Sequence, residues 1–215
     1  MKILGIDEAG RGPVIGPLVI VGVQYIEEKI EDLIELGVKD SKELSREERE
    51  KIFEEIIKIV DFKYKIISPS IIDHYVEKKG LNQLEFLNYC KIIEEFKSPK
   101  VFIDSFIKNS QKLKEKFEKT LSYKPELIVE VKADKKYPIV SAASIIAKVI
   151  RDMEIDKIKK ETGIDFGSGY PSDERTIKAL KENYEILKDY VRKTWFTVKK
   201  IKSEKQKKIF DFFKL

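Results

Sequence analysis

Two short apolar, β-branched runs open the chain, Ile3 to Ile6 and Leu18 to Val23, and the span between them holds Gly10, Gly12, Pro13, Gly16 and Pro17. Runs of this kind bounded by glycine and proline predict two strands of one sheet joined by a tight turn. The period then changes. Ser45 with Glu48 three residues on forms a capping box, and Ile52, Phe53, Ile56, Ile57 and Val60 repeat at helical spacing, which predicts a helix. A strand over Phe62 to Ser68, a short helix opened by Pro69 and a longer helix capped by Asn82 and running to Phe96 follow. Strands at Lys100 to Ser105 and Leu127 to Lys132 flank a charged helix around Leu113 to Leu121. The longest helix spans Ile139 to Lys160, and its first half, from Ser141 to Lys148, is packed with small residues that let another backbone approach. Gly163, a glycine-rich loop at Gly167 to Gly169 and a helix from about Ser172 complete a body of α/β class.

Three acids stand where apolar runs stop: Asp7, Asp104 and Asp134. Aspartate suits a strand interior poorly, so each marks a chain emerging at an edge of the sheet, where ends distant in sequence converge. A lone aspartate there is usually a cap; three together, with Glu8 beside the first, are a different matter. Like charges so close repel unless a cation neutralises them, and oxygen-only ligands favour Mg²⁺ or Mn²⁺ over zinc. Two such ions about 3.5–4 Å apart can activate a water on one side of a phosphodiester and stabilise the leaving oxygen on the other. The single histidine, His74, is assigned no catalytic role.

Composition narrows the field further. The 215 residues are long enough for one full core, and 38% are charged, with 43 basic and 38 acidic side chains giving a formal net charge of +5. Val191 to Leu215 carries nine basic residues against two acidic ones, so this segment is +7 and the remainder −2. Taken alone, such a run is as readily a solvated tail as a polyanion-binding one. One cysteine, Cys90, excludes internal disulfides and cysteine-rich zinc sites, and it reads as core or neutral filler. A reducing cytoplasm fits, and no stretch is long enough for a signal peptide or membrane span.

"GIDEAGRGP" from Gly5 to Pro13 resembles the N-terminal motif of the ribonucleases HII. "KDSKELS" from Lys39 to Ser45, "FIDS" from Phe102 to Ser105, "KADKKYPIVSAASIIAKVIRD" from Lys132 to Asp152 and "GSGYPSD" from Gly167 to Asp173 resemble that family's other motifs, in order. The resemblance implies an RNase H-like fold, a central mixed β-sheet flanked by helices, over residues 1–190, with a small helical extension over 191–215. It implies a monomeric endonuclease that hydrolyses the RNA strand of RNA–DNA hybrids and cuts beside single ribonucleotides in duplex DNA, leaving 3′-hydroxyl and 5′-phosphate ends. Asp7, Glu8, Asp104 and Asp134 fall on the family's catalytic, metal-holding acids. Gly10, Arg11 and Gly12 fall on the element that reads the ribose 2′-hydroxyl, and Tyr170 on the tyrosine that stacks on the following sugar. Lys42, Lys148 and Arg151 look like phosphate-holding positions, while Ser141 and Ser144 of the same motif read as helix-packing residues. The related ribonucleases HIII carry an extra N-terminal domain, for which a motif beginning this early leaves no room.

Within the basic extension, Gln206, Ile209, Phe212 and Phe213 occur at spacing i, i+3, i+6 and i+7, one apolar face of a helical turn. This resembles the peptide by which replication enzymes dock on the sliding clamp PCNA. Two rival readings stay open at this point: another nuclease or transposase-like phosphodiesterase on the same fold, and a non-catalytic nucleic-acid or clamp adaptor.

Overall fold

The first two apolar runs pair with each other. β1 (Lys2–Ala9) and β2 (Leu18–Ile26) are antiparallel, with Ile3 opposite Tyr25 and Ala9 opposite Val19. Their connection is an eight-residue loop rather than the expected tight turn, because Ile15 leaves to pair with Val191. After a single 3₁₀ turn come α1 (Glu31–Glu35) and α2 (Arg46–Ile59), the latter with the reciprocal Ser45–Glu48 capping box its sequence demands. β3 (Asp61–Ile67) leads to α3 (Pro69–Lys78), which starts on its proline. α4 (Leu81–Phe96) begins one residue before Asn82, which therefore lies inside the helix instead of capping it. Gly80, at φ +84, makes the break that lets α4 start so early.

β4 (Lys100–Asp104), α5 (Ser110–Thr120), β5 (Glu126–Glu130) and the 25-residue α6 (Pro138–Thr162) follow, with β5 stopping short of the expected end at Lys132. Gly163 at φ +68 ends α6, and α7 (Glu174–Glu182), α8 (Tyr184–Leu187) and α9 (Phe196–Phe212) complete the chain. The computed structural model describes residues 1–212, with side chains described to residue 204.

The five strands form one mixed sheet in the order β3-β2-β1-β4-β5, with β1, β4 and β5 parallel to one another. The chain divides into two compact units. The first comprises 1–9, 19–66 and 82–151 and contains the sheet. Its largest apolar cluster packs one sheet face, with Ile3, Val19, Val21 and Phe102, against Ile139, Val140, Ala143 and Ala147 of α6. The small residues of that helix serve the close approach they predicted. A β-carbon on Gly5 would lie 2.4 Å from the Ile139 carbonyl oxygen, so only glycine fits beneath α6. On the other face α4 presses equally close, with a β-carbon on Gly22 2.3 Å from Ile92.

The second unit comprises 10–18, 67–81 and 152–215. Its core gathers Val14 and Ile15 of the first loop, Ile155 and Ile158 of α6, Phe166, Leu180, Leu187, Val191, Val198 and Ile201. Among the described residues no helix is long and apolar enough to cross a membrane.

Candidate active site

Side chains alternate across a strand, so the neighbours Asp7 and Glu8 leave β1 on opposite faces of the sheet. Asp7 lies within β1, not at its end: the ladder to β2 runs on through Ala9, while the parallel ladder to β4 stops at Ile6 opposite Ile103. One step further, Asp7 and Asp104 stand side by side. β5 ends at Glu130, the register partner of Asp104, and the expected strand-end acid Asp134 instead sits four residues on, in a 3₁₀ turn over 133–135. Lys132, in the left-handed region at φ +61, turns the chain so that this happens. Glu130 itself is engaged by Lys136 and Tyr137.

The acids affect one another strongly. Asp7 is 4% exposed, and burial together with the charges of Glu8 and Asp104 holds its carboxyl well above the usual carboxylate range, against opposing hydrogen bonds from Ser144 and from the Glu8 N–H at 2.7 Å. Burial and the charge of Asp134 push Asp104 up to about 6, although the Ala133 N–H donates to it at 2.7 Å. Asp134 is buried; one oxygen lies 3.5 Å from the Lys42 ammonium, and the other, Oδ1, has no hydrogen-bond partner.

Among the described residues no three His, Cys, Asp or Glu side chains are drawn into a ready-made ligand set. Mutual repulsion accounts for this, as each carboxylate turns to a donor supplied by the chain: Asp7 to Ser144, Glu8 to Tyr89, Asp104 to Ala133, Asp134 to Lys42. Four oxygen-bearing acids, with the proton affinity of Asp7 and Asp104 raised and one buried oxygen of Asp134 orphaned, fit a hard divalent cation, which relieves repulsion that hydrogen bonds only lessen.

The loop Lys39 to Ser45 is tied to the 3₁₀ turn by two ion pairs, Lys135 with buried Asp40 at 2.6 Å and Lys42 with Asp134. Between these pairs the Ser41 hydroxyl lies 3.0 Å from that of Ser144 and accepts from the Lys148 ammonium. Lys148 is therefore turned inward, and burial lowers its proton affinity despite the nearby Asp7. Arg151, three residues on, is buried, whereas Lys148 is half-buried. Ser141 donates to the Asp134 carbonyl at 2.5 Å, so both serines of the helix motif hold the acids' surroundings besides packing.

Local spacing singles out neither Tyr89 nor Glu85, and Ser41 stands out only as part of the Lys39 to Ser45 motif. Each reads as helix or loop filler, and only the fold reveals Tyr89 against Glu8 with Glu85, fully buried, one helical turn away.

Gly10, Arg11, Gly12 and Tyr170 lie in the second unit. Gly10 takes φ +89, and the Tyr170 ring lies 3.4 Å from where a β-carbon on Gly12 would stand. The loop is held by its carbonyls. Arg192, which the sequence counts with a solvated basic tail, is 0% exposed and donates to the carbonyl oxygens of Gly10 (2.6 Å), Arg11 (3.0 Å) and Gly16 (3.0 Å). Its guanidinium lies 4.9 Å over the Trp195 ring, whose Nε1 donates to the Gly12 carbonyl at 3.1 Å. The Val14 and Ile15 N–H groups donate to the Gly169 carbonyl, which joins the loop to the Gly167–Gly169 turn.

His74 is exposed on α3 and Cys90 is buried, its thiol pushed up to about 12 by burial, so neither offers reactive chemistry. The proposed clamp residue Phe213 lies outside the described residues, as do the side chains of Gln206, Ile209 and Phe212.

The family model for ribonuclease HII matches residues 4–198. A ribonuclease HII of Pyrococcus abyssi is 51% identical over 210 residues, which cover 95% of this chain and 92% of the relative. Among solved structures, the ribonuclease H2 of Pyrococcus horikoshii OT3 superposes with a TM-score of 0.87 at 44% identity, covering 95% of this chain and 98% of that one. A ribonuclease HII from Archaeoglobus fulgidus, solved in complex with PCNA, gives 0.85 at 42% identity, covering 93% and 96%. The mixed sheet with its flanking helices is thus the RNase H-like fold that the sequence motifs implied.

Proposed function

The chain belongs to the ribonuclease HII family of hydrolytic, divalent-metal-dependent endoribonucleases, and from that premise we propose that it cuts RNA–DNA hybrids and duplex DNA beside a single embedded ribonucleotide. The products carry 3′-hydroxyl and 5′-phosphate ends. The observation that carries this reading is the electrostatic joining of Asp7, Glu8, Asp104 and Asp134 from three separated stretches of chain, with an orphaned oxygen on the last.

These four acids would hold two Mg²⁺ or Mn²⁺ ions. When bound, such ions supply activation of water and neutralisation of charge at the phosphodiester. The chain's own residues supply the rest. Ser144 holds Asp7 and the Ala133 N–H holds Asp104, so these carboxylates are oriented before substrate arrives. Lys42, exposed at its tip, would hold a phosphate oxygen, and Lys148 and Arg151 would add positive charge on α6.

Discrimination of RNA from DNA falls to the Gly10-Arg11-Gly12 backbone. With the carbonyls of all three residues taken by Arg192 and Trp195, the loop has one fixed course, and bare glycine lets a ribose approach it closely. Tyr170, beside Gly12, offers a ring face for the neighbouring sugar. The segment Gln206 to Phe213 is proposed to dock on PCNA, supported by its spacing and by the partner of the Archaeoglobus fulgidus relative.

A labelled duplex with one ribonucleotide, incubated with Mg²⁺ or Mn²⁺ and separately with chelator, tests the reading. Cleavage on the 5′ side of the ribonucleotide only with metal, and none of an all-DNA duplex, is the expected result. Equal cleavage of both duplexes would make the chain a general nuclease on this fold.

A further inference from the structure

We infer that Tyr89 is a positioning residue that fixes the direction of the Glu8 carboxylate, from the sheet face opposite to the one that holds Asp7. The inference rests on Glu8 being a metal-holding acid. Asp7 shares the odd-numbered face of β1 with Gly5, which lies under α6; Glu8 shares the even-numbered face with Leu4, which lies by Gly22 and Ile92 of α4. Tyr89 is three residues before Ile92 and so on the same side of α4. Its hydroxyl donates to Glu8 Oε2.

The phenol has nowhere else to go. Tyr89 is 0% exposed, its ring meeting Phe106 edge-on at 5.2 Å and stacking on Phe117 at 6.4 Å. Phenylalanine would fill this aromatic niche equally well, and a hydroxyl buried there is unfavourable unless bonded. Packing therefore does not explain the oxygen; Glu8 does. Glutamate has three side-chain torsions, and holding it in one rotamer before a cation arrives removes an entropic cost from binding. A phenol suits this role better than lysine or arginine, because it adds a hydrogen bond without adding a positive charge that would compete with a cation.

Tyr89→Phe deletes the oxygen and leaves the ring. On a duplex with one ribonucleotide, kcat should fall about tenfold with KM for the duplex unchanged, the size expected when a partner of a metal ligand is lost. Calorimetry with Mn²⁺ on the substrate-free protein should show binding weakened by about tenfold. Ile92→Val is the packing control: it thins the same helix face without touching the hydroxyl, so it should lower Tm and leave Mn²⁺ affinity and kcat unchanged. Wild-type Mn²⁺ affinity and kcat in Tyr89→Phe would overturn the inference, as would Ile92→Val reproducing the losses. Should the wild-type protein leave the duplex uncut, the functional reading fails by itself, while the Mn²⁺ calorimetry still decides the part played by Tyr89.

Discussion

The acids of the first unit and the glycine loop of the second are built on opposite principles. Around Asp7 the fold gathers like charges that raise the proton affinity of Asp7 and Asp104, and it leaves a buried oxygen of Asp134 without a partner. Around Gly10 to Gly16 the carbonyls find donors in Arg192 and Trp195, and backbone bonds to Gly169, Tyr190 and Arg192 close the loop. One region stores unfavourable electrostatics that a cation relieves; the other spends buried donors on holding a backbone still. Stability and function therefore oppose each other in the first and coincide in the second.

The comparison breaks most visibly at Asp7. Asp7→Asn removes a buried charge and should cut turnover by about a thousandfold, as loss of a preorganised charge-stabilising group does. The same variant should melt no lower than wild type in chelator, and a clear fall in Tm would show that the carboxylate supports the fold. Arg192→Met works the other way. It leaves the carbonyls of Gly10, Arg11 and Gly16 without their buried donor, and unfolding in urea should show a loss of about 3 kcal/mol. A change below 1 kcal/mol would mean that water replaces the guanidinium and that the loop is less dependent on it than its geometry implies.

Most of the fold could be read from the chain, because it rests on local rules. Apolar, β-branched runs marked the first strands, Ser45 with Glu48 marked α2, and small residues marked the helix that lies on Gly5. Asp7, Asp104 and Asp134 drew notice for the same reason, as acids that follow apolar runs, although Asp7 lies within β1. What stayed hidden depends on which face a residue takes. Tyr89 and Arg192 look in sequence like a helix aromatic and one more basic residue before a tail, and only long-range packing turns them toward Glu8 and Gly10. Local spacing also misplaced Asp134, since nothing in the chain announces that Lys132 adopts φ +61 and ends the strand early.

Asp104 sharpens the contrast as a function of pH. Its folded value of about 6 lies above the unfolded value of about 4, so between these limits the folded state binds the extra proton. In chelator, stability should therefore decline as pH rises from about 4 to 6, with a penalty on the order of 2 to 3 kcal/mol complete above that window. Asp104→Asn should flatten this decline. Added Mg²⁺ should raise the Tm of wild type at neutral pH more than that of the variant. An equal rise in both would remove Asp104 from the set of ion-holding acids.

Asp173 gives the smallest effect and the opposite sign. It caps α7 through the Arg175 N–H at 2.9 Å and accepts from the Ser168 N–H at 2.8 Å, and these donors hold its carboxyl down to about 2. Its support is present above the unfolded value of about 4 and is lost as pH falls toward 2, where the acids of the first unit have already shed their repulsion. Asp173→Ala should lower stability by about 1 kcal/mol at neutral pH, the ordinary cost of a lost N-cap, and should flatten the melting curve between pH 4 and 2. Asp173→Asn should flatten it equally while retaining most of the cap. A wild-type Tm that climbs as the pH drops through this range would mean that the relief of carboxylate repulsion in the first unit outweighs the caps of the second, and that the charge cluster controls the acid stability of the whole chain.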